Sequence, residues 1–278
     1  MNTLKAPAGR TVAGLSEAAG SPSVKWPIVV SFGGGTNSAA MLIEMAAVRH
    51  VVPDLILFSD TGGERPETYE FVHAFSAWLV MKGLPPVTIV KDGRTTLEAE
   101  VRAANTLPSL AFGFRSCSDK YKVRPQNRYL AKWQPALDAW AAGGKVVKLI
   151  GYDVNETHRL KDYDDKKFVV QYPLVHWGWD RVWCERVVSK AGFTPAKSAC
   201  FYCPASRKVD VIELAKNNPD LFARAVEMER NATAATTVKG LGRHWSWEDL
   251  VKADKAQMKL LEDVDAWPMP CGCFDTGF

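Results

Sequence analysis

The sequence predicts an α/β protein: a parallel sheet flanked by helices, followed by a mostly helical C-terminal lobe. Two observations carry this. Short apolar runs of strand length alternate with segments of helical periodicity, the pattern of repeated β–α–β units. The first of these runs breaks into "GGG" at 33–35 and then resumes with helix-forming residues, as a strand does when it turns directly into a helix N-terminus.

The elements follow in order. Ile28 to Phe32 is the first strand, and Ser38 to His50 a helix with Met41, Met45 and Val48 near one face. Pro53 ends that segment, and Asp54 to Ser59 ("DLILFS") reads as a buried second strand. Pro66 opens the next helix, where Thr68 to Met81 places Phe71, Phe75 and Leu79 in a stripe. Val87 to Val90 is a third strand, Thr95 to Ala104 a helix, and Lys145 to Ile150 a fourth strand running straight into Gly151. From about Pro173 the chain changes character, becoming helical and rich in Trp, so a lobe is expected over 173–262. Within it, "NNPDLFARAVEME" is amphipathic, with Leu221, Ala225 and Met228 inward. Residues 1–26, rich in Ala, Gly, Ser and Pro, read as a flexible tail, and 263–278 as a second tail containing Cys271 and Cys273.

At 278 residues, 47% hydrophobic and 24% charged, the chain has the composition of a soluble globular protein with a sizeable core. A net charge of +4 suits an anionic substrate. It permits a nucleic-acid partner without requiring one. No stretch approaches the roughly 20 apolar residues of a membrane span, and the N-terminal tail has no apolar core of the signal-peptide kind. The expected location is the cytoplasm. There, six cysteines are expected as ligands or reactive thiols rather than as a disulfide framework. The oligomeric state is left open.

A strand, a glycine turn and a helix N-terminus make an anion site, because backbone N–H groups and the helix dipole both favour negative charge. A Walker A loop would need a Lys where Thr36, Asn37 and Ser38 stand. A dinucleotide fingerprint would place a third glycine or alanine at Ser38, although Asp60 would serve as its ribose acid. A plain turn is the remaining reading. Among the cysteines, Cys200 and Cys203 form a C-x-x-C pair, and Cys117 and Cys184 lie in separate elements. Four thiolates suit structural zinc or a [4Fe–4S] cluster, and a C-x-x-C pair alone also suits redox chemistry.

Three segments together resemble one family. "SFGGGTNSAAML" is similar to the PP-loop of the adenine nucleotide alpha-hydrolase-like superfamily. Gly34, Gly35 and Ser38 match, Gly33 stands where a Ser is usual, and Asn37 replaces an Asp. "FSDTGGERPETYEFV" resembles the second-strand segment of phosphoadenosine phosphosulfate reductases, through Asp60, Thr61, Gly62, Pro66, Glu67 and Thr68. "GYDVNETHR" resembles the segment after their fourth strand in Gly151, Glu156 and Arg159, with Asp153 where a basic residue is common. "RSCSDKYKVRP" and "SACFYCP" resemble the cluster-bearing branch, although Ser116 and Cys117 stand in place of its Cys-Cys pair, so Cys184 would supply the fourth ligand.

The resemblance implies a Rossmann-like parallel sheet over 27–172. It implies an adenine nucleotide, either ATP or phosphoadenosine phosphosulfate, held by Ser31, Gly33, Gly34, Gly35, Thr36, Asn37, Ser38, Asp60, Thr61, Gly62 and Gly151. Lys122 and Arg159 would clamp its anionic groups. Cys271, followed by Gly272, would stand for the nucleophile of a mobile tail. Cys117, Cys184, Cys200 and Cys203 would hold a [4Fe–4S] cluster, and Mg2+ would accompany ATP. Two activities are implied: sulfonucleotide reduction or sulfur transfer with a thiol or persulfide donor protein, or ATP-pyrophosphatase chemistry of the DNA phosphorothioation and tRNA thiolation kind. A non-catalytic nucleotide-binding protein is the third reading.

Overall fold

The computed structural model describes residues 26–91, 93–112, 116–160, 165–194, 198–233 and 237–265, with side chains to residue 257, that of residue 233 excepted. The predicted tail over 1–26 lies almost wholly outside these, as do Cys271 and Cys273. The chain divides into two compact units, residues 1–98 with 116–200, and residues 99–115 with 201–278.

The first unit is built on a five-stranded parallel sheet in the order β3-β2-β1-β4-β5. Its strands are β1 (Ile28–Phe32), β2 (Leu55–Asp60), β3 (Val87–Lys91), β4 (Val146–Ile150) and β5 (Phe168–Gln171). The first four are the predicted strands, displaced by a residue at most at either end. The edge strand β5 was not predicted: its apolar run is three residues long, and all four of its residues are only half-buried. The period of two in β1 places Ile28, Val30 and Phe32 in one core and Val29 in another. The first core lies against α1 (Thr36–Glu44), α2 (Pro66–Met81), α7 (Pro173–His176) and α8 (Arg181–Lys190). The second takes Leu130 of α5 (Arg124–Leu130) and Ala136 of α6 (Gln134–Ala141). Since α7 and α8 pack on the sheet, the division between units falls after Cys200, not at the change of composition near Pro173.

Two helical readings are corrected. After Glu44 the first helix continues as a π-helix, Met45–Arg49. The wider turn takes Val48 out of the stripe formed by the buried Met41 and Met45, leaving it 63% exposed. A helical stretch at 116–130 was also missed. It runs from α4 (Ser116–Ser118) through a π-helical turn, Asp119–Val123, into α5.

Lys148 of β4 points into the second core's side of the sheet, with 8% of its surface exposed. Its Nζ donates to Asn127 Oδ1 at 2.5 Å and lies 3.9 Å from the Phe168 ring centroid. Burial pulls its pKa down to about 8, partly opposed by Asp165. Between about pH 8 and 10.5 the unfolded chain therefore holds more protons at this site than the folded one, and stability rises with pH across that window. Lys148→Met should stabilise the protein at neutral pH, by an amount on the order of 3 kcal/mol that fades above pH 10. Denaturant melts of both proteins across the window check this. A difference that does not change with pH would count against it.

The second unit holds α9 (Lys208–Asn217), α10 (Pro219–Thr233), α11 (Trp247–Asp265) and most of α3 (Leu97–Ala103). Ala225 and Met228 of α10 are buried as expected, and Leu221 is half-buried. Glu229, 3% exposed, receives the backbone N–H of Leu241 on Oε1 at 2.7 Å. The N–H of Trp247 reaches both its oxygens, at 3.0 and 2.9 Å, and that of Glu248 reaches Oε2 at 3.4 Å. One carboxylate from α10 thus caps the first turn of α11. Burial lifts this carboxyl above the usual carboxylate range, against the pull of those N–H groups.

Candidate functional site

The chain leaves β1 first toward β2 and β3, and only later builds β4 and β5 on the other side. Strand order therefore reverses between β1 and β4, and in open parallel sheets the crevice at that reversal takes the ligand. The glycine loop, 33–35, opens there into α1, whose first turn carries no acidic residue. Gly34 has φ +70°, and a Cβ on it would stand 2.8 Å from the Phe58 ring. A Cβ on Gly151 would lie 2.8 Å from Ser38 Cα, so the end of β4 meets the start of α1 backbone to backbone. Ser38 closes the loop, accepting from Gly33 N–H at 3.1 Å and donating to Gly35 O at 3.2 Å. Ser198 donates to Gly33 O. Ser31 donates to Gln126 Oε1 at 2.8 Å, and Gln126 to Ser59 Oγ at 3.1 Å, which ties α5 to the ends of β1 and β2.

Asn37 is where charge gathers. Its Nδ2 donates to Asp153 Oδ2 at 2.8 Å and to Glu156 Oε2 at 3.1 Å, while its Oδ1 accepts from Arg181 at 3.2 Å. The same guanidinium reaches Thr36 Oγ1 at 3.1 Å and, through Nε, Glu185 at 2.8 Å. Asp153 is 3% exposed, and its second oxygen caps the 3-10 turn Val154–Arg159 by accepting from Asn155 N–H. Arg159 donates to Glu156 and stacks 4.1 Å over the Tyr152 ring, which itself stacks on Tyr172. The loop, Gly151 and Arg159 are thus brought together, Arg159 through Glu156. Two further residues were missed. Arg181 is 145 positions from Thr36, with no motif around it. Asp153 had registered only as a departure from the family pattern.

The end of β2 makes a second cluster. Asp60 Oδ1 accepts from Gly62 N–H at 2.8 Å and from the Tyr69 hydroxyl at 2.7 Å. Burial first, and then that bond, push the Tyr69 phenol up. Gly62, at φ +74°, presses against Thr96, where a Cβ would approach to 2.5 Å. Thr61 Oγ1 lies 3.0 Å from Cys200 Sγ and 3.4 Å from Glu64 Oε1. Lys122 Nζ pairs with that same Glu64 oxygen at 3.4 Å.

The resemblance implies a [4Fe–4S] cluster held by Cys117, Cys184, Cys200 and Cys203. Among the described residues no three His, Cys, Asp or Glu side chains are grouped to hold a metal ion. Cys184 lies fully buried on α8, in the apolar core with Leu174, Trp177 and Val188. Burial, with the charge of Asp153, pushes its thiol up to about 12. Cys117 is half-buried on α4, Cys200 is buried beside Thr61, and Cys203 belongs to the second unit.

No helix among the described residues is long and apolar enough to cross a membrane. An uncharacterised protein of Methanocaldococcus jannaschii is 23% identical over 260 residues. The match takes in 86% of this chain but 56% of that protein, so the chain spans little more than half the length of its curated relative. The crystal structure of phosphoadenylyl-sulfate reductase from Candida auris, a phosphate complex, superposes with a TM-score of 0.41 at 17% identity, over 61% of this chain and 74% of that one. Residues 27–184, which carry the glycine loop, the Asp60 turn and the segment 153–159, match the family model of the phosphoadenosine phosphosulfate reductase domain, and the chain belongs to that family.

Proposed function

We propose that the chain binds the anionic end of an adenine nucleotide at residues 33–38 and uses the nucleotide in sulfur chemistry, either reducing a sulfonucleotide or activating an acceptor for sulfur transfer. The observation behind this reading is the bonding of Asn37. At the N-terminus of α1, a guanidinium and two carboxylates converge on one loop side chain. Arg181 and the N–H groups of the helix start suit phosphate or sulfate oxygens.

The carboxylates favour ATP as the nucleotide. Mg2+ takes one or two carboxylates together with phosphate oxygens and water, and Asp153 and Glu156 form such a pair beside the loop. They would hold the ion, and the ion would supply charge to offset the phosphates. Asn37, in place of an Asp, then removes no carboxylate from the site, because Asp153 stands within 2.8 Å of it. Sulfonucleotide reduction draws on Cys271, which lies outside the described residues. No step of this reading passes through an iron–sulfur cluster. Cys117, Cys184, Cys200 and Cys203 stay its candidate ligands by resemblance, and iron and sulfide analysis of anaerobically purified protein tests them.

Calorimetric titration with ATP and with phosphoadenosine phosphosulfate, with and without Mg2+, tests the reading. We expect magnesium-dependent ATP binding, weakened between about ten- and a hundredfold in Arg181→Ala, the loss of a charge-assisted contact. Pyrophosphate release with a sulfur acceptor would identify the activating reaction, and sulfite release the reductive one. Failure to bind either nucleotide, or binding indifferent to Arg181, would overturn the proposal.

A further inference from the structure

In the first unit, a cavity of about 370 Å³ opens beside α5 and is lined by Arg94, Lys120, Arg124, Asn127, Arg128 and Ala131. Among the described residues, four of the six that line it are cations and none is a carboxylate. We propose that this cavity is a binding site for the phosphodiester backbone of a nucleic acid.

The argument begins with the helix. Tyr121, Pro125, Gln126 and Leu130 face the sheet and are buried, which leaves the core packing to that side. On the opposite side Lys120, Arg124 and Arg128 recur every four residues, and Lys132 continues the row just past the end of α5. Like charges four apart destabilise a helix by roughly 0.2–0.5 kcal/mol per pair. Arg124 pairs with Asp119 at 2.7 Å, and both of those side chains are more than half exposed. Such a pair is weak and yields readily to a phosphate.

The shape narrows the ligand. Eight residues of helix extend about 12 Å, at roughly 1.5 Å per residue. That length suits a repeating anion better than one phosphate ion. Arginine forks match phosphate oxygens in pairs. Among the described residues no aromatic ring lines the cavity, and the cations would grip the backbone rather than read bases, so binding should be indifferent to sequence. The modest net charge of +4 is thus unevenly spread, with one local field strong enough to attract a polyanion. This inference stands on the cavity alone and goes beyond the nucleotide reading. A nucleic acid held here would be an acceptor or a guide to one.

Fluorescence anisotropy with a labelled, mixed-sequence single-stranded DNA, and with RNA of the same sequence, provides the test. Binding should weaken steeply with salt. The Arg94→Ala/Arg128→Ala double variant should bind at least tenfold more weakly and lower the slope of log affinity against log salt by about two, one per phosphate contact removed. ATP titration of the same variant, expected to match the parent, separates loss of this site from misfolding and from failure of the nucleotide reading. Three results would overturn the proposal: no oligonucleotide binding, binding unchanged in the double variant, or displacement by inorganic tripolyphosphate at equal phosphate concentration. The last would make the cavity a small-anion pocket.

Discussion

Replacing Asn37 with Asp, the residue usual in the family's loop, should damage this protein, and replacing Asp153 with Asn in the same chain should repair much of the damage. In the parent, Asn37 gives one donor hydrogen to Asp153 and one to Glu156. An Asp at position 37 supplies no donor and sets a third carboxylate about 3 Å from a 3% exposed one. Losing two charge-assisted bonds and adding a like charge in a half-buried crevice costs on the order of 3 kcal/mol, so nucleotide affinity should fall about a hundredfold. With Asn at position 153, the side-chain oxygen still accepts from Asn155 N–H. Its amide nitrogen now donates to the carboxylate introduced at position 37, and the bond reverses direction without moving. Calorimetric affinities for parent, both single variants and the double variant form a thermodynamic cycle. A coupling of about 1 kcal/mol or more in favour of the double variant is expected. Additive losses would mean that the bond between positions 37 and 153 does not organise the loop.

Glu229→Gln should cost about as much in the second unit, although it changes a single atom. Both oxygens of Glu229 accept backbone N–H groups, Oε1 from Leu241 and Trp247, and Oε2 from Trp247 and Glu248. A Gln must turn its NH2 toward donors on one side, and no rotamer avoids this. A buried unsatisfied donor costs about 1–3 kcal/mol, and the charge lost from the helix start adds to it. Amide exchange should locate the effect, with protection at Leu241 and Trp247 falling well before that of the sheet strands. Even loss of protection across both units would argue against Glu229 as a local anchor.

What the sequence made legible was backbone. Apolar runs located the four strands that were predicted, and glycines marked where the chain must turn or press close, as Gly34 and Gly151 do. What it hid was side-chain partnership across long separations. Asp153 reads as an anomaly in a motif until Asn37 is seen beside it, and Arg181 sits in no motif at all. Val48 was lost to a π-helical turn, a change of pitch with no compositional mark.

The strand order also has a consequence during synthesis. Residues 28–91 contain everything needed to pair β3, β2 and β1, so this half of the sheet is free to assemble while the ribosome is still making the rest. Asp153, Glu156 and Arg181, and the Gly151 and Ser198 contacts to the glycine loop, have not yet emerged. On the nucleotide reading proposed above, a nascent chain displays a loop without its clamp, and ligand binding begins to favour the native state only once α8 is released and docks. Nucleotide would act on the last stage of maturation rather than the first, as a lock on the finished unit.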